Sequence, residues 1–171
     1  GRPATLVEVE RFIRHMPELK EMSPKESAQL ASDTLVAEAP GGKIVIYRGE
    51  SSDAAYFILK GSVGVGYVKD DDYVILNYLR EGDFFGEVAA LTGMTRTANI
   101  ITEEDCEFLI IPSKVIKRLA KNYPGLNVRF YTLIGERLTQ TELPRGTNFD
   151  QQLLRDLRTS KPDVQQEQAS A

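Results

Sequence analysis

Residues 55–79 read AYFILKGSVGVGYVKDDDYVILNYL. Three runs rich in β-branched and aromatic residues, Ala55 to Leu59, Ser62 to Val68 and Tyr73 to Leu79, alternate with two turn signals, Lys60-Gly61 and Lys69-Asp70-Asp71-Asp72. Runs this short, joined by polar turns with no room for a crossover helix, predict antiparallel strands. Working outward, the same rhythm continues in Thr34 to Glu38, Lys43 to Arg48, Thr97 to Ile101 and Cys106 to Ile111. Pro40-Gly41-Gly42, Gly49 to Asp53 and Glu81-Gly82-Asp83 lie between them as turns. Seven such runs predict a sandwich or jelly-roll barrel.

Helical patterns flank this block. Leu6, Val9, Phe12, Ile13 and Met16 share one face of a helix over 5–16 that Pro17 ends. Ser23-Pro24-Lys25-Glu26 is a capping-box opening for a second helix carrying Ala28, Leu30 and Ala31. After Pro112, Ser113 is placed to cap a helix bearing Val115, Ile116, Leu119 and Ala120, which Pro124-Gly125 breaks. A last long helix, Leu126 to Glu142, aligns Phe130, Leu133, Ile134 and Leu138 and stops before Pro144. Beyond it, Phe149, Leu153, Leu154 and Leu157 fall on one face of a short amphipathic helix, and the polar stretch from Ser160 reads as disordered. The expected division is a domain over 1–143 and a tail over 144–171.

Composition narrows the function. The 171 residues are 42% hydrophobic and 27% charged, ordinary for one globular domain. Their net charge of -4 has the wrong sign for a domain whose main partner is a nucleic-acid backbone. His15 and Cys106 are the only histidine and the only cysteine, so no disulfide and no His/Cys zinc site forms within one chain. No apolar run approaches the roughly 20 residues of a membrane span, and a reducing cytoplasm fits best. The opening Gly1-Arg2-Pro3-Ala4 lacks an initiator Met, as expected of a fragment with its effector on the N-terminal side.

The chemistry concentrates in residues 82–99, GDFFGEVAALTGMTRTAN. Gly86 opens a tight turn, and Glu87 to Leu91 are helix-compatible residues whose first amides can hold one phosphate. Arg96, nine positions after Glu87, brings a planar guanidinium suited to an anionic oxygen pair. Glu87, acceptor-only when ionised, suits a sugar hydroxyl instead. A monoanion beside a hydroxyl is the description of a nucleoside cyclic monophosphate.

The segment resembles the phosphate-binding cassette of the cyclic-nucleotide-binding domain family, with Phe85-Gly86-Glu87-Val88-Ala89-Ala90 and Arg96-Thr97-Ala98 carrying the match. The likeness runs from about Val7 to Thr141 and includes Ala55-Tyr56-Phe57-Ile58-Leu59-Lys60-Gly61 and Gly82-Asp83-Phe84. It implies an α+β fold, an eight-stranded antiparallel jelly-roll-like β-barrel flanked by N-terminal and C-terminal helices. It also implies the ligand-binding set Gly86, Glu87, Val88, Ala89, Arg96, Thr97 and Thr141. Within that set Glu87 takes the ribose 2′-hydroxyl, and Arg96 the cyclic phosphate. The backbone of Gly86 and Ala89 takes phosphate or ribose contacts, Thr97 adds a hydroxyl near phosphate and purine, and Thr141 is the nearest match to a lid residue over the base. A threonine at the position of Thr97 accompanies tolerance of cyclic GMP. In the family's catabolite-activator branch the final helix dimerises and leads into a helix-turn-helix. Here Pro144 intervenes and 28 residues follow Leu143, too few for a DNA-reading module.

The expected function is therefore a regulatory domain, not an enzyme, that binds cyclic AMP or cyclic GMP and signals through its C-terminal helix to a linked effector. No metal or further cofactor is expected. The alternative is a degenerate, ligand-free barrel acting as a protein-interaction module, in which Glu87 and Arg96 form a surface ion pair. Other features have plainer readings. The glycines of 61–66 match no phosphate-loop pattern and belong to a strand, Asp70 to Asp72 form a solvated turn, His15 lies at a helix end, and Cys106 is a buried thiol.

Overall fold

A computed structural model describes residues 1–141 apart from Ser52, Met94 and Thr97, with Val88 and residues 137–141 described by their backbone alone. The expected tail, its amphipathic helix and its disordered end lie outside the described residues.

The N-terminal helices form where their caps dictate. Helix α1 (Leu6–Arg14) starts at Thr5, whose hydroxyl accepts from the Glu8 amide while the Glu8 carboxylate accepts from the Thr5 amide. Helix α2 (Pro24–Asp33) starts at Ser23 with the same reciprocal arrangement to Glu26, as its sequence predicts. A 3-10 turn, Pro17–Leu19, joins the two. Nine strands are described: β1 (Arg2–Pro3), β2 (Leu35–Ala39), β3 (Ile44–Ile46), β4 (Ala54–Lys60), β5 (Ser62–Lys69), β6 (Asp72–Arg80), β7 (Phe84–Phe85), β8 (Asn99–Thr102) and β9 (Cys106–Pro112). The short helix α3 (Glu87–Thr92) lies between β7 and β8, and α4 (Ser113–Asn122) and α5 (Pro124–Thr141) close the described chain.

All ladders are antiparallel, in two sheets of order β1-β2-β9-β4-β7 and β3-β8-β5-β6. Strands β2 to β9 make the expected eight-stranded jelly roll, and β1 adds a two-residue edge. The fold is α+β. The β5–β6 turn places Asp70 and Asp71 at φ 51° and 67°, a left-handed conformation that aspartate tolerates in a tight hairpin.

Period-2 alternation along β4 and β9 divides the apolar interior in two. Phe57, Leu59, Leu109 and Ile111 face the helices and pack with Phe12, Leu30, Ile116 and Phe130. Ile58 and Phe108 face the other way, into the barrel, with Val63, Phe85 and Ile100. The five-stranded sheet is thus the shared wall between the barrel core and the helical core.

Two expectations about α4 and α5 change. Pro112 occupies the N-cap of α4 with no side-chain capping bond, and Ser113 is the first helical residue. The Ser113 hydroxyl instead donates to the Ala90 carbonyl of α3, and its amide donates to the Asp53 carbonyl. The break expected at Pro124-Gly125 is present, with α4 ending at Asn122, but α5 begins at Pro124 itself rather than at Leu126. Proline's preset φ suits that position, where its missing N–H is not required.

One ion pair anchors the N-terminus. Arg2 Nη1 donates to Glu8 Oε1 at 2.9 Å and Nη2 to Oε2, and the Thr5 amide donates to Oε1 at 2.8 Å. The Arg2 bond, aided by the Thr5 amide and hydroxyl and opposed by burial, holds the Glu8 carboxyl down to about 2. Because the carboxyl is depressed on folding, its contribution to stability is present above its ordinary value of 4.5 and lost as pH falls toward about 2. Urea unfolding of the unsubstituted chain and of Glu8→Gln is expected to show a stability gap that closes across that window. A gap independent of pH would show that the pair does not stabilise the fold.

Candidate functional site

The stretch that leads into α3 is positioned by strand pairing. In β7, Phe84 pairs with Phe57 and Phe85 with Tyr56 across to β4. The chain then turns through Gly86 at φ 81°, the left-handed conformation in which glycine alone is unstrained. A Cβ here would lie 2.5 Å from Arg96 Nη1 and 3.2 Å from the Ala54 carbonyl oxygen, so any side chain at this position would push the guanidinium out of its present place. Helix α3 follows at once. Its first internal bond runs from the Ala90 amide to the Gly86 carbonyl at 3.1 Å, and Gly93, at φ 75°, ends it.

Arg96 is woven into this turn from the far side. Its Nη1 donates to the Gly86 carbonyl and its Nη2 to the Ala54 carbonyl, each at 2.9 Å. Its Cζ lies 5.7 Å from the centroid of the Tyr56 ring. The Arg96 backbone is fixed as well, its amide donating to the Glu50 carbonyl and its carbonyl accepting from the Gly49 amide, both at 2.8 Å. Burial pushes the guanidinium below its usual range, and Tyr56, Glu50, Glu87 and Asp53 favour the charged form against it. An arginine keeps its proton under such conditions.

Glu87 is 1% exposed and Arg96 3% exposed, which removes the surface-ion-pair reading of these two residues. A buried carboxylate and a buried guanidinium on one turn form a polar wall of fixed geometry. Such a wall can meet a ligand with an acceptor beside a planar cation. Ala89 and Ala90 of α3 are both buried, Ala90 in the helical core.

Of the residues the sequence singled out, Gly86, Glu87, Ala89 and Arg96 come together here. Val88 lies in α3 and Thr141 ends α5, each described by its backbone alone, and Thr97 lies outside the described residues. Three contributors were not legible: the Ala54 carbonyl, the Tyr56 ring and Ser113. The first two reach the site through the β4–β7 register, a long-range pairing that a two-residue strand does not announce. Among the described residues, no group of three His, Cys, Asp or Glu side chains is placed to hold a metal ion, and no helix is long and apolar enough to cross a membrane.

Comparison with known proteins supplies the class. The family model described as cyclic nucleotide-binding domain matches residues 36–123, just over half of the chain. The protein belongs to the cyclic nucleotide-binding domain family. It is 35% identical over 105 residues to the cAMP-activated global transcriptional regulator CRP of Pasteurella multocida, covering 60% of this chain and 50% of that one. It is also 30% identical over 110 residues to a cAMP-dependent protein kinase regulatory subunit of Aspergillus fumigatus, covering 64% of this chain and 26% of that subunit. The chain thus spans about half the length, or less, of these curated relatives. A cyclic nucleotide-binding domain from Methylobacillus flagellatus shares the fold at a TM-score of 0.65 with 19% identity, over 85% of this chain and 88% of that one. The relatives carry the names of regulators.

Proposed function

We propose that this cyclic nucleotide-binding domain senses a nucleoside cyclic monophosphate, cyclic AMP or cyclic GMP, at the Gly86–Arg96 wall and regulates a linked effector through α5. The observation that carries the reading is the joint burial of Glu87 and Arg96 on the Gly86 turn in a chain of this family. Arg96 takes the cyclic phosphate with its planar fork, and Glu87 accepts from the ribose 2′-hydroxyl. Backbone groups of Gly86, Val88 and Ala89 complete the sugar-phosphate contacts, Thr97 adds a hydroxyl on the purine side, and Thr141 covers the base.

The link to α5 has a physical basis. Phe130 of α5 meets Phe84 edge to face, with ring centroids 5.2 Å apart, two residues before the Gly86 turn. A ligand that orders the turn then shifts the population of α5 positions by as much as it binds one of them better. The names of the relatives, a transcriptional regulator and a regulatory subunit of a protein kinase, support the reading that this domain controls an effector rather than carrying an active site of its own.

Calorimetric titration with both nucleotides tests the reading. Both are expected to bind, within about a hundredfold of each other, because the Thr97 hydroxyl contributes only ~0.5–1.5 kcal/mol as a neutral hydrogen bond and biases the choice about tenfold. Thr97→Ala is expected to lower cyclic GMP affinity more than cyclic AMP affinity, by removing an acceptor for the guanine amino group. Equal losses would show that the hydroxyl serves only the shared phosphate. Failure of both ligands to bind would leave the interaction-module alternative.

A further inference from the structure

The structure assigns to Tyr56 a role beyond core packing: its ring is a seat that sets the plane of the Arg96 guanidinium, making Tyr56 a positioning residue for recognition of the cyclic phosphate. The assignment rests on the cyclic-nucleotide reading above and deepens it.

Among the contacts that the described residues make to this guanidinium, two come from one short piece of β4. The Ala54 carbonyl accepts from Nη2 at 2.9 Å, and two residues along the same strand the Tyr56 ring lies 5.7 Å from Cζ. Another is the Gly86 carbonyl on Nη1. Both carbonyl bonds hold the Nη groups by their edge, within the plane of the guanidinium, and neither contacts its face. A ring at cation–π distance opposes tilting of that plane, and its quadrupole stabilises a cation that burial has stripped of water.

The seat is itself rigid. Tyr56 stacks on Phe85 with centroids 5.0 Å apart and planes 4° from parallel, and Phe108 meets both rings edge-on at 6.1 Å and 5.4 Å. Phe85 immediately precedes Gly86, so the same stack that holds the Tyr56 ring holds the start of the turn. A cation placed this way is oriented before any ligand arrives, which is where rigid elements give the largest return in affinity.

A ring that merely fills space and a ring that acts through Arg96 give different results in a binding cycle. The unsubstituted chain, Tyr56→Phe, Tyr56→Leu, Arg96→Ala and Tyr56→Leu/Arg96→Ala are titrated with cyclic AMP and cyclic GMP, and each fold is checked by urea unfolding. Tyr56→Leu is expected to weaken binding about 3- to 30-fold, and Tyr56→Phe by no more than about threefold. In the Arg96→Ala background, Tyr56→Leu is expected to cost nothing further. Incorporating pentafluorophenylalanine at position 56 keeps the ring's shape and reverses its quadrupole. It is expected to lose affinity as Tyr56→Leu does, and it keeps the test decisive should the leucine variant not fold. Additive losses in the cycle, or a fluorinated ring that binds as well as phenylalanine, would overturn the assignment while leaving the proposed function standing. An unsubstituted chain that binds neither nucleotide would overturn both.

Discussion

Arg96→Ala is expected to weaken cyclic-nucleotide binding by ~2–5 kcal/mol, roughly 30- to several-thousand-fold in Kd. The residue is 3% exposed, so the substitution removes a charge from a site where solvent does little to replace it. It also takes away the donors now serving the carbonyls of Gly86 and Ala54. The Gly86 carbonyl keeps the Ala90 amide, but taking a buried donor from the Ala54 carbonyl is costly in its own right, which predicts some loss of fold stability alongside the loss of affinity. Calorimetry reads the first and urea unfolding the second. A folded variant that binds within about tenfold of the unsubstituted chain would refute the phosphate role. Glu87→Gln is expected to cost less, since its amide oxygen still accepts from a hydroxyl. A larger loss for Glu87→Gln than for Arg96→Ala would mean that the two roles are reversed.

Phe130→Ala is expected to destabilise the fold by ~3–5 kcal/mol, the range for truncating a fully buried phenylalanine. Phe130 is 0% exposed and lies in the helical core with Leu126 of its own helix, and Ile134, one turn further on, is also fully buried. Its edge-to-face contact with Phe84 joins α5 directly to the strand entering the Gly86 turn. The measurement is the urea midpoint at constant slope, which separates lost stability from a change in the surface exposed on unfolding. A loss below about 1 kcal/mol would show that α5 is not held to the sheet by this ring, and the proposed route from ligand to effector would lose its anchor.

The barrel was legible because its signal is local. Runs such as Ser62 to Val68 and Tyr73 to Leu79 carry strand-forming residues between turn residues, and both became strands within about a residue of the expected bounds. The capping box at Ser23 and Glu26 was likewise readable, since both partners lie within four positions. Strands β1 and β7 were not, because two residues show no period and are defined only by distant partners, Val36 and Leu35 for β1, Tyr56 and Phe57 for β7. The site divides on the same line. Gly86, Glu87 and Arg96 stand out within one stretch of chain, whereas Ala54, Tyr56 and Ser113 join them only when β4 and β7 pair in the five-stranded sheet and α4 packs on α3. Ser113 shows how a sound local rule is overridden: serine after proline suits a cap, yet a carbonyl from α3 lies within reach and takes its hydroxyl.

Helix α3 has six residues between two left-handed glycines, Gly86 and Gly93. That is under two turns, too short to persist in water without outside support. What supports it is the Ala90 carbonyl held by Ser113, together with the burial of Ala89 and Ala90 against the rest of the molecule. The wall proposed to meet a ligand is therefore a borrowed element whose order depends on the start of α4. On that proposal affinity is partly inherited: a change at residue 113, in a helix that touches no ligand in the proposed scheme, is expected to alter how often the turn exists in a form able to receive one.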